Sequence, residues 1–345
     1  MRRFLSRVLP LLLSFGLIFN CTGCSTVLVL AGKARENSEA SSSVISESSA
    51  SSGVISTPVP TEDGDLRAFY TDVANAESVT VMVYMIGSDL ESEDGSATDD
   101  LLEMADAALS ENVHLVLQTG GTETWWNDVC TDDESERFVI ENGDMTLLQS
   151  LGSMNMTDAD TLSDFIRFSA ESYPADRYEL ILWDHGGGTM TGFGYDELYE
   201  DTSLTLSSLS TALYNGGVQF DFIGFDACLM ATAEVAYALD PYADYLIASE
   251  ESEPGEGWAY KNWLTMLAED PAVPTAELGK KLADDFLEAY IFADMPTLSV
   301  LDLRYVPELY AALESYWGSA YTALQSGSYG AFSQVRSNVR EFGDN

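Results

Sequence analysis

The sequence predicts an α/β fold, a sandwich built on a mainly parallel central sheet. Three observations carry that prediction. Nearly continuous apolar runs recur, such as Val79-Thr80-Val81-Met82-Val83-Tyr84-Met85-Ile86, and runs of that kind are strands buried on both faces, as in parallel sheets. Segments of helical spacing alternate with them. One pair of strand-like segments, 137–141 and 145–150, flanks Asn142-Gly143-Asp144, a strong hairpin turn that inserts a small antiparallel piece.

The elements follow in order. The strand at 79–86 stops at Gly87, and helical spacing begins near 97 and runs to about 110. Val113 to Gln118 is a second buried strand, closed by Thr119-Gly120-Gly121. After the hairpin, a helix over 161–172 ends just before Pro174, which cannot continue it. Tyr178 to Trp183 is a third buried strand, followed by a helix near 204–214. A strand over 218–225 leads into an Ala- and Leu-rich helix over 229–239, and Tyr245 to Ala248 is a short fifth strand. Helices near 274–291 and 306–325 enclose a strand near 298–303. There is no internal repeat and no glycine-rich phosphate loop of the Rossmann or P-loop kind.

The first 65 residues stand apart from this pattern. Arg2, Arg3 and Arg7 precede an apolar run from Val8 to Phe19 that is too short for a comfortable membrane span. Cys21-Thr22-Gly23-Cys24-Ser25 follows and reads as a bacterial lipobox: residues 1–23 form a lipoprotein signal peptide, and Cys24 is the acylated thiol. Cys21 stands where that pattern usually has Leu. Residues 24–65 are then a lipidated cysteine and a Ser-rich flexible tether, unable to bury enough apolar surface to fold. Such a leader predicts an exported protein, anchored by lipid to the cell membrane and facing outside. The folded domain is expected over 66–345, with its helix-and-strand pattern still running at Asn345, as in a domain incomplete at its C-terminus.

Composition removes several partners. With 57 Asp and Glu against 15 Lys and Arg, the formal charge is -42. That surface repels nucleic acid and anionic headgroups, and it attracts basic peptides. Outside the leader only Cys130 and Cys228 remain, so the chain is no disulfide scaffold. Two isolated histidines and no ligand-spaced cluster argue against a zinc hydrolase.

Those two histidines are His114 and His185. His114 lies inside the strand Val113-His114-Leu115-Val116-Leu117 and reads as a core or edge residue. His185 stands where a buried strand stops, in Leu182-Trp183-Asp184-His185-Gly186-Gly187-Gly188. Ligands of open α/β sheets bind beyond the carboxyl ends of strands, and glycines there let a substrate approach the backbone closely. Cys228 repeats the placement at the end of Phe222-Ile223-Gly224-Phe225-Asp226-Ala227-Cys228. A helix expected from Leu229 would put the thiol at a helix N-terminus, where the thiolate is favoured. One Cys and one His at the ends of consecutive buried strands suit a nucleophile and its general base.

With these segments in view, the chain resembles the clostripain family of cysteine peptidases, which share the caspase-like fold. The resemblance rests on Val83 to Glu91, on Leu180 to Gly188 with Asp184-His185-Gly186, on Ile223 to Met230 with Asp226-Ala227-Cys228, and on Ala248-Ser249-Glu250-Glu251 followed by Gly255-Glu256-Gly257-Trp258. It implies an extracytoplasmic cysteine endopeptidase that cleaves peptides or proteins after Arg or Lys. Cys228 would attack the scissile carbonyl, His185 would move the proton, and the N–H groups of Gly186 and Cys228 would hold the oxyanion. Asp226 would be the acid of the S1 pocket, joined by one of Glu250, Glu251 and Glu256. The competing expectation is a catalytically inactive surface module of the same fold that binds cationic peptides or glycans. No cofactor is certain from the sequence, and calcium is the one candidate. Calcium dependence occurs in the family, and the cluster Asp89, Glu91, Glu93 and Asp94 offers oxygen ligands, though without the spacing of a defined calcium loop. Some relatives cut themselves between the catalytic His and Cys. From Gly186 to Ala227 this chain has no Lys or Arg, which predicts a single-chain enzyme.

Overall fold

The computed structural model describes residues 66–199, 202–290, 296–340 and 342–343. The leader, the Ser-rich tether and Cys24 lie outside these residues. The described residues form one eight-stranded sheet in the order β4-β3-β2-β1-β5-β6-β7-β8. Its strands are β1 (Val79–Ile86), β2 (Val113–Gly120), β3 (Ser135–Glu141), β4 (Asp144–Gly152), β5 (Arg177–Trp183), β6 (Phe220–Asp226), β7 (Ala243–Ala248) and β8 (Ser299–Asp302). The five strands from β2 to β7 in that order run parallel, β3 and β4 form the antiparallel hairpin, and β8 closes the other edge antiparallel.

Helices cover both faces, which is why the central strands are apolar throughout. All eight residues of β1 are buried. Val79, Val81, Val83 and Met85 face one core, with α2 (Ser96–Ala105), α7 (Tyr260–Glu269) and α8 (Thr275–Ala289). Met82, Tyr84 and Ile86 face the other, with α3 (Ala159–Ser172), α5 (Leu206–Gly216) and α6 (Ala233–Leu239). The period-2 alternation of strand side chains thus builds an α/β/α sandwich from one apolar run. The short α1 (Ser88–Ser92) and α4 (Gly188–Thr191) cap the carboxyl ends of β1 and β5, and α9 (Val306–Gln325) and α10 (Tyr329–Arg336) complete the described chain. Among the described residues no helix is long and apolar enough to cross a membrane.

One expectation needs correcting. The helix after β6 begins at Ala233, capped by the Thr232 hydroxyl on the Val235 N–H (3.1 Å), and not near Leu229. Leu229 takes φ +64, which no α-helix allows. The N–H groups of Leu229 and Ala231 instead bond to the carbonyls of Glu251 and Ser249 (3.1 and 2.8 Å). Residues 229–231 are thereby tied to the loop that follows β7 before the helix starts. Cys228 therefore does not sit at a helix N-terminus, and that argument for its thiolate falls away.

Candidate active site

β5 and β6 lie side by side, with Trp183 opposite Asp226. The Asp184 N–H bonds to the Asp226 carbonyl (3.3 Å), carrying the pairing one residue further. Two residues beyond the Trp183–Asp226 pair stand His185 and Cys228, so the two strand ends deliver them to the same rim of the sheet. Gly186 sits against the carbonyl of Cys228: a Cβ there would lie 2.0 Å from that oxygen, so only glycine fits. The bridge between Gly186 and Phe193 uses the Gly187 and Gly194 N–H groups, at 2.9 and 3.0 Å from the Gly192 and His185 carbonyls. Neither the Gly186 nor the Cys228 N–H is engaged by another described residue.

Cys228 is half-buried and carries a free thiol, and Cys130 is a second free cysteine, buried. Burial pushes the Cys130 thiol up to about 12, which makes it inert. The Sγ of Cys228 accepts the Glu253 N–H at 3.2 Å. His185 is half exposed, and its Nε2 lies 2.7 Å from Asp89 Oδ1. Asp184 beside it is only 3% exposed. Its carboxylate takes the Ser88 hydroxyl (2.7 Å) and the Tyr195 N–H. Burial raises Asp184 to about 7, against the opposing pull of His185 and these donors. His114, by contrast, packs its ring 5.3 Å from that of Tyr173 in β2's flank, away from the strand ends.

A second group of side chains gathers around the end of β6. Asp226 is 5% exposed, and its Oδ2 accepts the Trp258 N–H (3.0 Å) and the Tyr260 hydroxyl (2.8 Å). Asp100, from α2, takes the Trp183 indole N–H at 2.6 Å. Gly257 separates the two carboxylates: a Cβ on it would stand 3.0 Å from oxygens of both, at φ +64. Glu253 brings a third carboxylate whose oxygens are buried beside Asp226 and the Trp258 side chain. Burial and the neighbouring Asp226 raise Asp100 and Glu253 well above the usual carboxylate range, and burial raises Asp226 to about 6 against its hydrogen-bond donors. None of the three has a Lys or Arg partner among the described residues.

Of the acids expected in this pocket, the structure brings Asp226 into the cluster and not the other three. Glu250 accepts the Ser299 hydroxyl (2.6 Å), Glu251 the Gly343 N–H (2.9 Å), and Glu256 is exposed. Asp100, Glu253 and Tyr260 were not singled out by sequence. Their signal was slight: Gly257-Trp258 marks a backbone pressed against something, without naming it. Nor do residues 89–94 converge on a calcium site. Asp89 turns to His185, while Glu91 is taken by the Thr98 hydroxyl and N–H (2.6 and 2.8 Å) and the Trp126 N–H (2.6 Å). Among the described residues no group of three or more His, Cys, Asp or Glu side chains is arranged to hold a metal ion.

A mainly parallel α/β/α sandwich with an antiparallel hairpin on one edge is the architecture of the caspase-like hydrolases. The chain belongs to the clostripain family within that class, whose family model matches residues 83–341. It is 35% identical over 123 residues to clostripain from Hathewaya histolytica, a match covering 31% of this chain and 23% of that protein. The chain thus matches under a quarter of that relative's length. A secreted C11 cysteine protease from Bacteroides thetaiotaomicron, solved with an irreversible peptide inhibitor, shares the fold at a TM-score of 0.56 and 23% identity, over 68% of each chain. An inactive zymogen C11 protease from Parabacteroides distasonis gives a TM-score of 0.53 at 27% identity, over 68% of this chain and 64% of that one.

Proposed function

We propose that this protein is a cysteine endopeptidase that cleaves after Arg or Lys outside the cytoplasm. The observation that carries the reading is the buried cluster of Asp100, Asp226 and Glu253, three acids with no Lys or Arg partner among the described residues, joined to Cys228 through the Glu253 N–H on its Sγ. A guanidinium or ammonium entering there would receive charge-assisted hydrogen bonds in a site shielded from water. Its backbone would then lie across the thiol. Cys228 attacks the scissile carbonyl as its proton passes to His185. The tetrahedral oxyanion is held by the free N–H groups of Gly186 and Cys228, each such donor typically worth roughly 2.7–4 kcal/mol of barrier. His185 then protonates the leaving amine, and water hydrolyses the thioester.

A fluorogenic peptide with Arg or Lys at P1 is expected to be hydrolysed, and one with a neutral P1 residue is not. Cys228→Ala abolishes turnover; activity persisting in that variant refutes the mechanism. The competing reading, an inactive module that binds cationic peptides through the same acids, draws support from the absence of a helix N-terminus at Cys228. It predicts an iodoacetamide-inert thiol and binding without cleavage.

Export and anchoring rest on the leader and on the secreted relative. Acylation of Cys24 makes the protein partition into detergent, and Cys24→Ala moves it to the aqueous phase. Equal partitioning of the two removes the anchor.

A further inference from the structure

We infer that Asp89 is a positioning residue for His185, and that it assigns proton transfer to the Nδ1 atom of that ring. The inference rests on the reading of His185 as the base. Asp89 belongs to the acidic run whose other members serve local structure or face solvent, and nothing in the proposed mechanism so far uses it.

The geometry is direct. Asp89 Oδ1 lies 2.7 Å from His185 Nε2. A carboxylate only accepts, so Nε2 must be the protonated nitrogen of the neutral ring. The lone pair is then on Nδ1, the one atom left to take the thiol proton. Once that proton arrives, both nitrogens carry hydrogen, and the Asp89 charge faces the imidazolium that forms. The same Nδ1 proton later passes to the leaving amine, which returns the ring to its starting tautomer.

Asp89 is held where it can do this. β1 and β5 are neighbours, with Met85 opposite Trp183, so Asp89 and His185 emerge from adjacent strand ends. Ser88 stands before Asp89 at φ +47, a left-handed backbone that a serine adopts only when its surroundings demand it. They do: its N–H bonds to the Gly121 carbonyl (3.1 Å), its carbonyl takes the Thr122 hydroxyl (2.9 Å), and its own hydroxyl reaches Asp184 (2.7 Å). Two neighbouring residues of β1's exit, Ser88 and Asp89, thus grip two neighbouring residues of β5's exit, Asp184 and His185. The inner contact is buried and fixes the frame. The outer one is half exposed and meets the ring. An ordinary surface ion pair has no such buried twin.

The chain has only two histidines, so ring ¹⁵N spectra of the full-length, ¹⁵N-histidine-labelled protein contain two patterns, and His185→Ala assigns them. The wild-type ring of His185 is expected as a single Nε2–H tautomer. Asp89→Ala should give mixed tautomers and lower kcat roughly tenfold to hundredfold with KM within about twofold, the cost typical of losing an orienting partner. Asp89→Asn, isosteric and still able to accept, should keep the tautomer and fall between the two in kcat. An unchanged tautomer and a kcat within about twofold in Asp89→Ala overturn the inference. If the wild type hydrolyses no basic peptide, the parent reading fails alone: the tautomer then decides whether Asp89 positions the ring.

Discussion

Strand β6 begins at one buried acidic cluster and ends at another. At its start, Asp221 is 1% exposed and accepts the Arg177 Nε–H (2.8 Å) and the Thr275 hydroxyl (2.6 Å), with Arg177 Nη2 in ion-pair contact at 2.6 Å. Glu179 stands 3.1 Å from the same guanidinium, whose Nη1 also donates to the Pro271 and Val273 carbonyls (3.0 and 2.9 Å). At the strand's end, Asp226 takes the Trp258 N–H and the Tyr260 hydroxyl, with Asp100 and Glu253 beside it. Both clusters withdraw carboxylates from water. One supplies its own arginine; the other has none among the described residues, and it lies at the carboxyl end of the sheet, where ligands bind. The first cluster is in effect a filled version of what the second is proposed to accept: a guanidinium between paired acids, with backbone carbonyls completing the shell. Even there the sharing is unequal, because burial pushes Glu179 up to about 8 although Arg177 opposes it.

If that contrast is right, equivalent substitutions at the two ends have unlike consequences. The largest effect belongs to Arg177→Ala, which strands Glu179 and Asp221 without a cation. Its expected cost is about 3–5 kcal/mol of folding stability, read as a lowered urea midpoint. Catalysis per folded molecule should hardly change. A variant as stable as wild type would break the comparison, because Arg177 would then not be neutralising anything that matters.

The two clusters also differ in how readily sequence discloses them. The sheet was legible because β1, β2, β5 and β6 are buried on both faces and so are apolar nearly throughout. The hairpin was legible from Asn142-Gly143-Asp144, and His185 and Cys228 from their place at strand ends. Asp226 was named through the family resemblance, two residues before Cys228, and the structure buries it in the cluster. Asp100 could not be found: in a chain with 57 acidic residues, one more Asp on a helix looks solvated. Only the packing of α2 against Trp183 and Gly257 shows otherwise. Glu253 stayed hidden among Glu250, Glu251 and Glu256, because an irregular loop has no period to say which side chain turns inward. The start of α6 was misread for a related reason. Leu229 to Ala231 have helical propensity, but the N–H groups of Leu229 and Ala231 have partners in the β7–α7 loop, and tertiary pairing overrides propensity. Thr232, a good N-cap residue, was the overlooked sign.

Asp226→Asn tests the other end of the strand. The group that loses its charge here sits among Asp100, Glu103, Glu253 and Tyr260, none of them cationic. Removing one negative charge from that set should therefore leave folding intact or improve it. The sign of the pH dependence follows from the raised value. Asp226 in the folded protein holds its proton up to about 6, above the 3.8 of an unperturbed aspartate. Its contribution to stability is then full below about pH 4 and declines as pH rises toward 6. The asparagine variant should lack this decline. Substrate binding runs the opposite way, since a cationic P1 side chain prefers the ionised carboxylates. In the wild type, KM for an Arg peptide should rise as pH falls through about 6, whereas alkylation of Cys228 by a small neutral reagent should not follow that limb. In Asp226→Asn the limb disappears, and kcat/KM for the Arg peptide drops by roughly 1.5–3 kcal/mol, or about 10- to 150-fold, the usual value of a hydrogen bond to a charged group. A loss of stability as large as that of Arg177→Ala, with kcat/KM preserved, would mean that the acids at both ends of β6 are structural and that the basic side chain is bound elsewhere.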